Sequence, residues 1–190
     1  MKRQPAPSLL AAAILLVAGL AQAAQQPRTR TTVGEYRIEA ARVIASLPAG
    51  WQEFSGGVTM TGPSMTLTCD RLKTWLAPKG QGLARAEASG HVVAQGRYVD
   101  AEKNEWRVRA TADSARYNRE AGKGVLEGSV DAEAINTATG DRVSVKAQTV
   151  TYDAKTHLLD LAGNAQPVDV KYQPAAPQAK AGQTEGKAAQ

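Results

Sequence analysis

Apolar and polar residues alternate along the middle of this chain, and in three places the alternation takes nearly the same form. Met65 to Thr74, Val108 to Tyr117 and Val143 to Tyr152 align on Asp70, Asp113 and Gln148. Each copy has apolar residues at −5, −3, −1 and +2 from that position, with mostly polar residues between. A period of two is the mark of a strand with one buried face, and three copies imply one small unit used repeatedly. Two copies reach Tyr at +4, and the first has Thr74 there with Trp75 next.

A second element recurs between these strands: glycine, one residue, then a small apolar residue, at Gly56, Gly90, Gly128 and Gly163. Their spacings are 34, 38 and 35 residues. Glycine within a strand pattern marks a bulge or a sharp bend. The interval from Asp113 to Gly128 is 15 residues, and so is that from Gln148 to Gly163, whereas Asp70 to Gly90 takes 20. The extra length falls at Ala77 to Gly82, a Pro- and Gly-containing loop insertion. Each unit is therefore predicted as strand, corner, strand, turn, strand and glycine corner, with turns at Arg119 to Gly122 and Asp153 to Thr156. Residues 51–172 show no sustained 3.6-residue period, so the fold class is all-β, a rolled sheet or elongated jelly roll with an open edge at each end. Tyr36 to Ile44 is compatible with a first strand, although the helix propensity of Glu39 to Arg42 leaves its middle ambiguous.

Composition trims the two ends. Lys2 and Arg3, an apolar run from Leu9 to Leu20, and Ala21-Gln22-Ala23 have the form of a cleaved secretory leader over residues 1–23. That run is too short to span a bilayer core of about 30 Å. Residues 24–34 are expected to be a flexible lead-in, 35–173 the folded domain, and 174–190 a disordered tail of Pro, Ala, Gln, Gly and Lys. Loss of Lys2 and Arg3 lowers the formal charge from +5 to +3, which gives no footprint for nucleic acid.

Candidate chemistry is sparse. Cys69 is the sole cysteine and fills the −1 position taken by Ala112 and Ala147, so it is expected to be a small buried hydrophobe. His91 and His157 are separated, and no set of ligands converges for a metal. Asp70 and Asp113 share their slot with Gln148, which points to a corner residue bonding the local backbone rather than to a catalytic acid. Gly80-Gln-Gly82 lacks the following helix that a phosphate cradle needs. No enzyme, cofactor or metal site is predicted.

The inward faces carry more information. The candidate lining consists of Ile38 in the opening strand; Met65, Leu67, Cys69 and Leu72; Val108, Ala110, Ala112 and Ala115; and Val143, Val145, Ala147 and Val150. The pattern fits a filled core and equally a groove that accepts acyl chains at about 0.8 kcal/mol per buried CH₂. Arg71, Lys73, Arg97, Arg107, Arg109 and Arg116 suit a polar rim near phosphate head groups, and equally an ordinary solvent-facing strand surface.

In order and spacing, these motifs resemble the OstA-like domain of the LptA family over Arg37 to about Gln166. The matching stretches are Ile38-Glu39-Ala40, Phe54 to Val58, Met65 to Asp70, Ala88 to Val92, Ala112 to Tyr117, Leu126 to Val130 and Leu159 to Gly163. The chain departs from the family pattern at Ala41, where an acidic residue is common, and at Gln148. The resemblance implies an elongated V-shaped β-jellyroll that carries the acyl chains of lipopolysaccharide, lipid A, through the periplasm. It also implies stacking against related jellyrolls of inner- and outer-membrane transport components, with a head-to-tail homo-oligomer as a further possibility. Two alternatives stand beside it: a membrane-anchored sister component of the same pathway, and a structural envelope-assembly β-domain that holds no lipid.

Overall fold

The structure, a computed structural model, describes residues 28–175 except 47, 79–81, 101, 157, 165 and 166. The leader, residues 24–27 of the expected lead-in, nearly all of the tail and His157 lie outside the described residues, and Thr29–Val33 of that lead-in, expected to be flexible, form a strand paired with Tyr36–Ala40.

The described chain forms eleven strands and no α-helix. Short strands β1 (Thr29–Val33), β2 (Tyr36–Ala40) and β3 (Arg42–Ser46) lead into six long ones: β4 (Trp51–Thr61), β5 (Met65–Leu76), β6 (Leu83–Val99), β7 (Glu105–Asn118), β8 (Lys123–Asn136) and β9 (Arg142–Asp153). Strands β10 (Leu158–Ala162) and β11 (Asp169–Gln173) close the order. The six long strands form an antiparallel meander. Strands β2 and β3 pair with the two ends of β4, while β10 and β11 pair with the two ends of β9.

The predicted corners at Gly56, Gly90 and Gly128 line up as a single seam, whereas Gly163 lies just past the last strand residue Ala162 and outside any described pairing. Each pairing along the meander slips where Gly56-Gly57, Gly90-His91 or Gly128-Ser129 meets Asp70, Asp113 or Gln148. All six bulge residues have positive φ, with Gly90 at 75° and His91 at 45°. Two successive left-handed residues bend the strand sharply, and the first is glycine each time because the neighbouring strand leaves no room for a Cβ. A Cβ on Gly90 would lie 2.9 Å from the Cβ of Asp70, and one on Gly128 would lie 2.7 Å from that of Asp113.

The seam folds the sheet in two. The first half-sheet contains β1, β2, the residues of β4, β6 and β8 after the glycine corner, those of β5, β7 and β9 before Asp70, Asp113 and Gln148, and β11. The second contains β3, the opposite portions of the long strands, and β10. Side chains of both halves form one apolar cluster, with Ile38, Phe54 and Leu72 at 0% exposure. The result is a V-shaped all-β jellyroll.

The opening segment is strand–corner–strand, with Ala41 at the corner and no helix. Its alternation outweighs the helix propensity of Glu39 to Arg42 because pairing with β4 buries Ile38 and Ala40. The break between the end of β5 at Leu76 and the start of β6 at Leu83, and the turns at 119–122 and 153–156, fall where the spacing places them. Asn118 and Asp153 side chains accept backbone N–H bonds that hold those two turns.

Candidate functional site

The inner surface of the V consists of two opposed apolar rows, each crossing eight strands. In the first half-sheet the register reads Ile38, Met60, Leu67, Ala94, Ala110, Ala132, Val145 and Val170. In the second it reads Val43, Phe54, Leu72, Ala88, Ala115, Leu126, Val150 and Leu161. Eight strands at about 4.8 Å spacing make a strip roughly 34 Å long.

Side-chain size changes along the strip. Strands β2 to β5 bring Ile38, Met60, Leu67, Phe54 and Leu72, which fill the space between the halves. Strands β6 and β7 carry alanine at 88, 94, 110 and 115. Ala94, Ala115 and Ala132 are only partly buried although they point inward, and so are Leu126, Val143 and Leu161. The V is sealed at its amino-terminal end and looser towards β9. At the far edge, Leu158, Leu159, Val170 and Tyr172 are more than half exposed.

All thirteen candidate lining residues take the inner face or the seam edge of it. Ile38, Leu67, Cys69, Leu72, Ala110, Ala112, Val145, Ala147 and Val150 are buried, whereas Met65, Val108, Ala115 and Val143 are half-buried. Strands β4, β6 and β8 supply as much of the lining, a contribution absent from that set. Aligned on the corner glycine they place Phe54, Ala88 and Leu126 at −2, Val58, Val92 and Val130 at +2, and Met60, Ala94 and Ala132 at +4. Tyr36 to Ala45, aligned on Ala41, is a fourth copy of the main repeat, with Ile38, Ala40 and Val43 at −3, −1 and +2.

The seam chemistry differs from the expectation in one respect. Asp70 Oδ2 accepts a hydrogen bond from His91 Nδ1 at 2.8 Å, so its partner is a side chain and not the local backbone. That bond holds the exposed His91 imidazole above its usual pKa, with the negative charge of Asp70 adding to the effect. The Asp113 side chain lies over Gly128 as that of Asp70 lies over Gly90. Cys69 is buried beside the seam, and burial, reinforced by Asp70, pushes its thiol up to about 11. A thiol in that state is packing and not a nucleophile.

The six basic residues lie on the outer face. In the second half-sheet they join a row of alternating sign, Glu53, Lys73, Glu87 and Arg116, with Arg71 in the adjoining row. Arg116 bonds Glu127, and Lys73 also lies 4.6 Å from the ring centre of Trp51. Among the described residues no group of three or more His, Cys, Asp or Glu side chains could hold a metal, and no helix is long and apolar enough to cross a membrane.

Two comparisons with known proteins found relatives. The model of a family described as LptA/(LptD N-terminal domain) LPS transport protein matches residues 37–144. The crystal structure of LptH from Pseudomonas aeruginosa, described as the LptA homologous periplasmic component of the lipopolysaccharide transport device, superposes with a TM-score of 0.58 at 16% identity. That match covers 74% of this chain and 96% of LptH, and it shows a shared fold. No curated protein matches the sequence.

Proposed function

The chain belongs to the LptA/LptD amino-terminal-domain family of lipopolysaccharide-transport proteins, and on that premise we propose that it is a periplasmic carrier for lipopolysaccharide. Acyl chains of lipid A lie between the two half-sheets, shielded from water by the opposed apolar rows. The carrier links inner-membrane and outer-membrane transport components through the strand edges at the two ends of the V. Transport by this route requires no bond to be made or broken in the protein, and a continuous greasy strip is the whole of the chemistry.

One observation carries the reading: inward-facing Ala94, Ala115, Ala132 and Leu126 remain partly exposed, although Ile38, Phe54 and Leu72 on the same two rows are fully buried. A plain core would bury small inward side chains as completely as large ones. Each methylene that enters the strip is worth about 0.8 kcal/mol, so several acyl chains together give a substantial affinity. The structure of LptH, described as a periplasmic transport component, supports the same placement.

Photo-crosslinking from Leu67, Ala110 and Val145 tests this reading. Labelling of lipopolysaccharide from Ala110 and Val145 is the expected result, with Leu67 weaker because it lies in the sealed end. No labelling at any of the three positions, together with lipid-free protein by mass spectrometry of an extract, would leave the structural β-domain as the better account. A mature amino terminus at Ala24 would exclude the membrane-anchored sister component.

A further inference from the structure

The outer faces of the two half-sheets are charged in different ways. In the second half-sheet the row Glu53, Lys73, Glu87 and Arg116 alternates in sign, so each charge has an opposite neighbour across the strand gap. In the first half-sheet the register reads Arg97, Arg107, Ile135 and Arg142. Arg97 thus lies directly across from Arg107, and Arg109 sits one outward position further along β7. Like charges directly opposite are destabilising in a sheet.

Local acids do not relieve this. Glu105 reaches Arg97 only at 3.5 Å, with the Arg97 side chain 73% exposed. Glu133 lies across from Arg109 in register, yet its carboxylate is bonded to Arg142 at 2.8 Å. Among the described residues neither Arg107 nor Arg109 has an acidic oxygen within 4.0 Å. The arginines surround a depression of about 550 Å³, walled on one side by the Gly62–Ser64 hairpin and furnished with Gln95 and Glu133.

The geometry points to a binding site for phosphorylated saccharide on this outer face. Guanidinium groups offer several N–H donors in a fixed fork that matches phosphate oxygens. Gln95 and Glu133 supply the acceptors that sugar hydroxyls and amines need. A lipid surface fits less well, because the depression is concave and Ile135 is the one large apolar side chain among its outward-facing groups. Its arginines, Gln95 and Glu133 lie on the face opposite the apolar rows, with Met65 and Val108 reaching the depression only from its inner edge.

The test is titration of the mature protein at low salt with glucosamine 6-phosphate, followed by amide shifts and calorimetry. Inorganic phosphate, glucosamine, and phosphatidylcholine vesicles containing phosphatidylglycerol serve as comparators. Binding of glucosamine 6-phosphate is expected to shift the amides of β6 to β8 around Gln95, Arg107 and Arg109, while glucosamine shifts none. The triple variant Arg97→Gln, Arg107→Gln and Arg109→Gln should weaken binding by at least about tenfold. Arg71→Gln with Arg116→Gln should leave it unchanged, and circular dichroism should show both variants folded. The proposal is overturned by no saturable binding, by equal losses in the two variants, by inorganic phosphate binding as tightly, or by binding to vesicles alone.

Discussion

Gly128 carries a heavier constraint than its backbone conformation alone imposes, and replacing it with alanine isolates the seam. Gly50 provides the control, with φ at +64° and nothing within 4 Å of an added Cβ. Gly50→Ala therefore bears only the left-handed cost of an L-residue, about 1 kcal/mol. Gly128 has φ at +79°, but its new Cβ would lie 2.7 Å from the Cβ of Asp113 on the neighbouring strand. Relieving that overlap means opening the bulge or rotating Asp113, which adds roughly 2 kcal/mol by analogy with overpacked cores. The expected loss for Gly128→Ala is then about 3 kcal/mol. Urea unfolding followed by tryptophan fluorescence measures it, since Trp51 and Trp75 sit in one half-sheet and Trp106 in the other. A double-mutant cycle with Asp113→Gly should recover about 2 kcal/mol as coupling, because the clash partner is gone. The reasoning fails if Gly128→Ala costs no more than Gly50→Ala, or if its cost persists undiminished in the Asp113→Gly background.

Other outcomes follow from single sites. Leu72→Ala at the sealed end should cost about 2–5 kcal/mol in the same unfolding assay, whereas Val143→Ala at the looser end should cost less than half as much. Thr74→Val should leave stability unchanged or raise it by about 1 kcal/mol, because the buried Thr74 hydroxyl oxygen has no hydrogen-bond partner among the described residues. A loss above about 1 kcal/mol would mean that hydroxyl is satisfied. Cys69, moved from 9.0 to about 11, has about a hundredfold less thiolate at pH 8 than a free thiol, so iodoacetamide should label it at least that much faster in urea than in the native protein. The His91 pair stabilises the fold fully below the ordinary histidine value near 6.5, and this contribution is lost as pH rises through the elevated folded value. NMR titration should show the His91 pKa falling in Asp70→Asn, and an unchanged value would dismiss the hydrogen bond as its cause.

How much was legible beforehand varies by element. The repeat at Val143 to Tyr152 and its two copies gave the strands, their inward residues and the role of Cys69, because alternation is a local property of the chain. The glycine corners were visible as spacings. Strands β4, β6 and β8 carry a weaker signal, since Phe54, Ala88 and Leu126 repeat only when aligned on those glycines. The copy at Tyr36 to Ala45 was hidden by helix-favouring residues and by Ala41 at a corner that elsewhere carries a polar side chain. His91 as the partner of Asp70 had no local signal, as 21 residues separate them.

By itself, then, the sequence determined the all-β class, which residues face inward and where each strand bends. Those features follow from the two-residue period and from the few residues that tolerate a left-handed backbone. Register was decided only by the tertiary structure. Pairing brought the glycine corners and the Asp70, Asp113 and Gln148 corners into one seam, and so folded one sheet into two faces. It gathered the alanines of β6 and β7 midway along an otherwise bulky strip. It also set Arg97 against Arg107 on one outer face while alternating acid with base on the other. Neighbours across the sheet are fixed by inter-strand hydrogen bonding, turn geometry and the bulges together, and alternation along one strand does not by itself specify them.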